Sequence, residues 1–233
     1  MRVVIFGATG MVGSGVLLEC LDDARVESVL VVGRNATGVH HPKVTEIVHG
    51  DFFSFDSLKA RFGDRDACFF CLGVSSVGMK EADYHRLTYD LTLAAARVLV
   101  AANPAMTFCY VTGQNTDSTE QGSSMWARVK GKTENALLRL GFKSAYMVRP
   151  GYIQPLRGAR SKTGWYQAFY NVLGPFYPVF RLVFPRYVTN TAELGRVMLE
   201  LAANGYERPI IETPDIHELN RRSHRSTSPR AAV

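Results

Sequence analysis

The chain has 233 residues, 46% hydrophobic and 21% charged, with a formal charge of +6. That length and balance suit one soluble globular domain with a single large core. The longest apolar stretches are cut by proline or charge short of the ~20 residues a membrane span needs. Met1-Arg2 leads directly into a strand-like run with no secretory leader, so the expected location is the cytoplasm.

Val3-Val4-Ile5-Phe6 reads as a buried strand, followed by Gly7-Ala8-Thr9-Gly10-Met11-Val12-Gly13 and an amphipathic helix pattern through Ser14 to Leu21. Gly7 permits a sharp turn, Gly10 lets backbone approach a pyrophosphate, and Gly13 lets the helix pack on the sheet. The helix then offers free N–H groups and its positive end to an anion. Gly7 to Gly13 are therefore the expected phosphate cradle of a dinucleotide, the alternative being a turn with no ligand.

Ser28 to Gly33 is a second strand, and Arg34 follows where an NAD site usually carries an acidic residue. An arginine there pairs with a 2′-phosphate, with Asn35 assisting, which favours NADP over NAD; the alternative is a surface loop arginine. Val44 to Val48 is a third strand, and Asp51-Phe52 beyond it suits an adenine subsite, unless Asp51 simply caps a turn. Ser57 to Phe62 reads as a short helix and Ala67 to Leu72 as a fourth strand, with Leu72 and Gly73 at its carboxyl end expected to line the crevice. Cys68 and Cys71 spell C-x-x-C, but residues three apart on a strand face opposite ways, so they and Cys20 and Cys109 read as core thiols with no metal site.

Glu81 to Ala102 carries the longest helical stripe, closed by Asn103-Pro104. Met106 to Thr112 is a fifth strand, Met125 to Leu140 a helix, and Ala145 to Arg149 a sixth strand ending in Pro150-Gly151-Tyr152-Ile153. This alternation predicts an α/β Rossmann-type doubly wound parallel sheet with helices on both faces. Pro150, Gly151 and Ile153, beyond the sixth strand, complete the expected cofactor contacts. From Gln154 to about residue 189 the chain turns basic and aromatic, a small C-terminal cap-like insertion that reads as an apolar pocket or a lipid-facing patch, the alternatives being a pair of helices packed on the sheet edge or an oligomer face. Thr191 to Asn204 is an amphipathic helix capped by Asn190, Pro209 to Glu212 a last strand, and Ile216 to Leu219 at most one helical turn. Residues 220–233 read as a basic, solvated, disordered tail beyond a domain of 1–219, without the aromatic interleaving of specific nucleic-acid binding.

The G-x-x-G-x-x-G turn, Val111-Thr112, Lys130 and Arg149-Pro150-Gly151 together resemble the short-chain dehydrogenase/reductase superfamily. The glycine spacing points to its extended or atypical branches, including epimerase/dehydratase-like and Tat-interacting-protein-like members. The resemblance implies hydride exchange between NADP(H) and a small, largely apolar carbonyl or alcohol. Lys130 would hold the nicotinamide ribose and Thr112 would orient the carbonyl, with Gly113 as the alternative alignment. The family's proton-exchanging tyrosine, four residues before the lysine, is here Trp126, whose indole cannot exchange a proton near neutral pH. Ser123, Ser124, Tyr84, Tyr152 and Tyr166 are candidate replacements. Without one, the chain is a cofactor-binding regulator or scaffold, and its long helices suit a monomer or a homodimer.

Overall fold

In a computed structural model of the chain, residues 1–158, 177, 182, 183 and 185–227 are described. β-branched and aromatic runs bounded by glycine form the central strands: β1 (Arg2–Phe6), β2 (Ser28–Gly33), β3 (Val44–Val48), β4 (Ala67–Phe70), β5 (Thr107–Val111) and β6 (Ser144–Arg149). With the late strand β9 (Ile210–Glu212) they make a seven-stranded sheet ordered β3-β2-β1-β4-β5-β6-β9. Every pairing in it is parallel, so all carboxyl ends lie along one edge. The order reverses beside β1, which is where such sheets open a ligand crevice.

Both faces are covered, as a parallel sheet requires. On one face Val3, Ile5, Val31 and Phe69 pack with α1 (Met11–Asp22), α5 (Thr191–Asn204) and α6 (Thr213–Thr227). On the other, Val4, Phe6, Leu30, Phe70 and Phe108 meet α3 (Leu91–Ala102), α4 (Met125–Leu138) and a 3₁₀ turn at Asp56–Arg61. Cys68 belongs to the second core and Cys71 packs against the first, as strand alternation demands. All four cysteines are free thiols.

The long helix from Glu81 to Ala102 is made of three pieces: α2 (Glu81–His85), a π-helical stretch Arg86–Asp90, and α3. Two further three-residue strands, β7 (Tyr152–Gln154) and β8 (Val188–Asn190), pair in parallel beside the main sheet. The amphipathic helix α5 begins at Asn190, whose side chain accepts the Glu193 N–H, and stops at Gly205 in a positive-φ conformation.

The stretch after Ile216 departs from the sequence expectation. Instead of one turn and a loose tail, α6 runs from Thr213 to Thr227, with Asn220 and Ser223 buried. The buried side is partly polar: Asn220 Oδ1 accepts from Arg196 Nε at 2.8 Å. Apolar periodicity alone therefore misses this helix. Residues 228–233 lie outside the described part. Deleting residues 220–233 removes the Arg196 partner and uncovers α5, and is expected to lower stability by roughly 1–3 kcal/mol in urea unfolding followed by circular dichroism; a free tail would change nothing.

Candidate dinucleotide-binding crevice

The opening strand leaves the sheet at Gly7 with φ +83°, and a Cβ there would lie within 2.9 Å of the Cys71 carbonyl group and the Leu72 nitrogen. Only glycine allows β1 and the chain beyond β4 to run this close. A Cβ on Gly13 would sit 2.2 Å from the Gly7 carbonyl oxygen, so helix and turn are in backbone contact. Gly10 donates to Gly7 O at 2.9 Å and caps α1 with no side chain of its own. The first N–H groups of α1 thus stay open to a ligand, and no acidic residue occupies the first turn. This cradle fits a pyrophosphate. Ala8 is buried, Val12 packs on the first core, and Thr9, Gly10 and Met11 are half-buried beside it.

The remaining expected contacts fall along the same edge. Arg34 and Asn35 follow β2 and are exposed; Arg34 makes no hydrogen bond or ion pair among the described residues. Leu72 is half-buried against the second core and Gly73 is exposed. Pro150 is buried, its carbonyl accepting from Gln114 N at 2.9 Å, while Gly151 N donates to Thr213 Oγ1 at 3.1 Å. Ile153 packs on the α1/α5 side. At Asp51 the turn alternative is present: Oδ1 accepts the Phe53 N–H at 2.9 Å. The Phe52 ring is buried against Phe55 and His49 in the core, so it is not a ring beside an adenine.

At the carboxyl end of β5, strand alternation sends Phe108, Tyr110 and Thr112 to the α4 side. The Thr112 hydroxyl accordingly points at Glu134 Oε1 (2.7 Å) and Val148 O (3.2 Å), and Thr112 is buried. This corrects its expected role as a carbonyl-orienting hydroxyl: it is a strut between β5, α4 and β6. Glu134 is completely buried and also receives Arg149, through Nε at 3.1 and 3.2 Å and through Nη2. Arg149 reaches on to Ser118 Oγ at 2.6 Å and Glu212 Oε1 at 3.3 Å. Burial opposes its charge, but Glu134 and Glu212 outweigh that and raise its pKa further.

Lys130, one turn before Glu134 on α4, donates from Nζ to the Thr112 carbonyl at 2.6 Å. Burial pulls its pKa down to about 8, against the upward pull of Glu134. One N–H is used and two are left for a ligand. Trp126 lies one turn earlier, and its ring edge is 3.9 Å from where a Cβ of Gly113 would stand, at the strand end. The structure thus brings Trp126 and Lys130 to the end of β5.

Among the described residues, none of the other candidate hydroxyls takes the missing tyrosine's position on α4. Tyr84 is a core side chain whose pKa burial raises. Ser123 and Ser124 are exposed before α4, and Tyr166 lies outside the described residues. Tyr152 is half-buried on β7, its hydroxyl donating to Gln154 Oε1 at 2.8 Å. Glu134 carries no motif signal beyond its place on the stripe Trp126, Lys130, Glu134, Leu137, whereas its partners Thr112 and Arg149 both stand in the motifs of the resemblance.

The fold is that of the epimerases and short-chain dehydrogenases. The Bordetella bronchiseptica enzyme WbmG, solved in complex with NAD, is 13% identical with TM-score 0.65, covering 100% of this chain and 80% of its own. UDP-glucose 4-epimerase of Thermotoga maritima, solved with UDP-glucose, is 12% identical with TM-score 0.63, covering 98% and 84%. A short chain dehydrogenase family protein from Francisella tularensis is 13% identical with TM-score 0.63, covering 88% and 91%. No family model matches the sequence. Among curated proteins, Aspergillus terreus "Protein fmp52-1, mitochondrial" is 29% identical over 66% of this chain and 68% of its own length. "Protein FMP52, mitochondrial" of Meyerozyma guilliermondii is 24% identical over 66% and 65%. The chain thus spans about two thirds of the length of these relatives. Their mitochondrial names, repeated in further fungi, overturn the expectation of a cytoplasmic protein.

Replacing Glu134 with Ala leaves Arg149 buried without its main counter-charge and is expected to cost about 3–5 kcal/mol in urea unfolding. Glu134→Gln, which keeps the shape and one acceptor, is expected to cost less.

Proposed function

We propose that the chain binds NADP(H) along the carboxyl edge of its sheet and serves as an oxidoreductase or epimerase-like protein for a small, largely apolar carbonyl or alcohol. The glycine cradle in contact with an uncapped α1 carries this reading. Gly7 to Gly13 would hold the pyrophosphate, Arg34 with Asn35 the 2′-phosphate, and Lys130 the nicotinamide ribose. The solved neighbours named above include an NAD complex, which supports a nicotinamide dinucleotide; the unpaired Arg34 is what favours NADP. The G-x-x-G-x-x-G spacing supports a place in the atypical or extended branch. When bound, the nicotinamide supplies or accepts hydride at the substrate carbon. Trp126 walls the crevice with an apolar ring, and Lys130 fixes the ribose by charge-assisted hydrogen bonds.

A second reading, a catalytically impaired NADP(H)-binding regulator or scaffold, is favoured by two observations: Trp126 stands in place of the acid, and the Thr112 hydroxyl is turned towards Glu134. A purified-protein titration separates the two. NADPH fluorescence should shift on binding, and Arg34→Ala should weaken NADPH by roughly tenfold or more with little effect on NADH. Turnover of any member of a panel of apolar aldehydes and ketones favours the enzyme; turnover appearing only in Trp126→Tyr favours the regulator. Absence of binding by either cofactor refutes both.

Lys130 sets a pH dependence. Its protonated form binds, and its pKa lies near 8, so NADPH affinity should be highest below that value and decline as pH rises through it. Lys130→Met should lower affinity and remove that inflection in the same titration.

A further inference from the structure

Between Asn135 and Ala192 the chain contains no aspartate or glutamate. At the chain's average of 21 acidic residues in 233, a stretch of that length would hold about five (58 × 21/233). The glutamates bounding it, Glu134 and Glu193, are 0% and 2% exposed, and their carboxylates accept from Arg149 and from the Thr189 hydroxyl, so they put no negative charge on the surface. Residues 165–187 contribute nine aromatic side chains to the same stretch.

The described part of the segment shows what it turns outward. Leu182 is 83% exposed, Val183 57% and Tyr187 54%. Arg186, beside them, is exposed and has no ion-pair partner among the described residues. Single exposed apolar residues need no explanation, but aliphatic, aromatic and unpaired basic side chains grouped within six residues do. Aliphatic side chains that enter the acyl boundary, a tyrosine at the headgroups and arginine towards anionic lipid are the composition of an interfacial surface.

We propose that the face carrying Leu182, Val183, Arg186 and Tyr187 docks on the surface of an anionic lipid bilayer. The backbone places it at the rim of the crevice: a Cβ on Gly151, just past β6, would lie 2.3 Å from the Tyr187 carbonyl oxygen. An apolar ligand leaving the bilayer would meet the sheet's carboxyl edge without crossing water. The proposal stands whether or not the crevice performs hydride chemistry.

The test is co-sedimentation of the full chain with vesicles of phosphatidylcholine alone and of phosphatidylcholine mixed with phosphatidylglycerol. The chain should sediment with the anionic vesicles and less with neutral ones, and added salt should weaken it. Leu182→Asp/Val183→Asp should reduce partitioning by about tenfold, and Arg186→Glu should weaken it to a smaller degree. Both positions of the double variant are exposed, so its thermal midpoint should match the parent's, confirming that it is folded. Failure to sediment, equal sedimentation of the double variant, or equal binding to both vesicles overturns the proposal. So does light scattering showing a parent dimer that the double variant dissolves, or binding to duplex DNA that the same variant abolishes, since the face would then serve another partner.

Discussion

A carboxylate with no access to water, Glu134, receives a guanidinium and a hydroxyl, and the arrangement of the crevice follows from that contact. Arg149 brings β6 to it, Thr112 brings β5, and Ser118 and Glu212 attach the loop before α4 and the edge strand. Such a pair is poor evidence of net stability, because desolvation offsets much of its attraction. Its value lies in geometry: with α4 fixed by Glu134, Lys130 one turn away must meet the end of β5, where its Nζ finds the Thr112 carbonyl. The lowered pKa of Lys130 results from the same burial.

The parts of the molecule that could be read from sequence are those where a local rule and the tertiary environment agree. Helix α5 is one, since an asparagine cap, an apolar stripe and a closing glycine all mark its limits. The glycine turn is another, because Gly7 and Gly13 answer backbone contacts that no other residue survives. Where the environment decides, sequence reasoning fails in instructive ways. Thr112 has the residue type of a site hydroxyl, but its side of the strand belongs to α4. Phe52 looks available beside a turn, yet packing claims its ring. Helix α6 hides because its inner side includes Asn220 and Ser223, whose burial depends on partners from α5 and other elements.

Trp126 and Thr112 bear on one question from two directions. The first puts an indole where the resemblance expects a proton-exchanging side chain, and the second commits its hydroxyl to Glu134 and the Val148 carbonyl. A crevice altered at both points keeps its glycine cradle, the open α1 terminus and Lys130 at the end of β5, none of which depends on either side chain. The proposed cradle and the chemistry at the end of β5 are thus structurally separable in this chain.

The pairing of β6 with β9, Met147 to Ile210 at its start, joins residues more than sixty positions apart in the chain. Closing a loop of that size is costly once, but each further doubling of its length adds only about 0.6 kcal/mol. Apart from β7, β8 and α5, which pack within the fold, the intervening sequence can therefore lengthen or shorten at little cost in loop closure. Such an arrangement lets the parallel sheet and its carboxyl edge stay nearly intact while the sequence between β7 and β8 is rewritten.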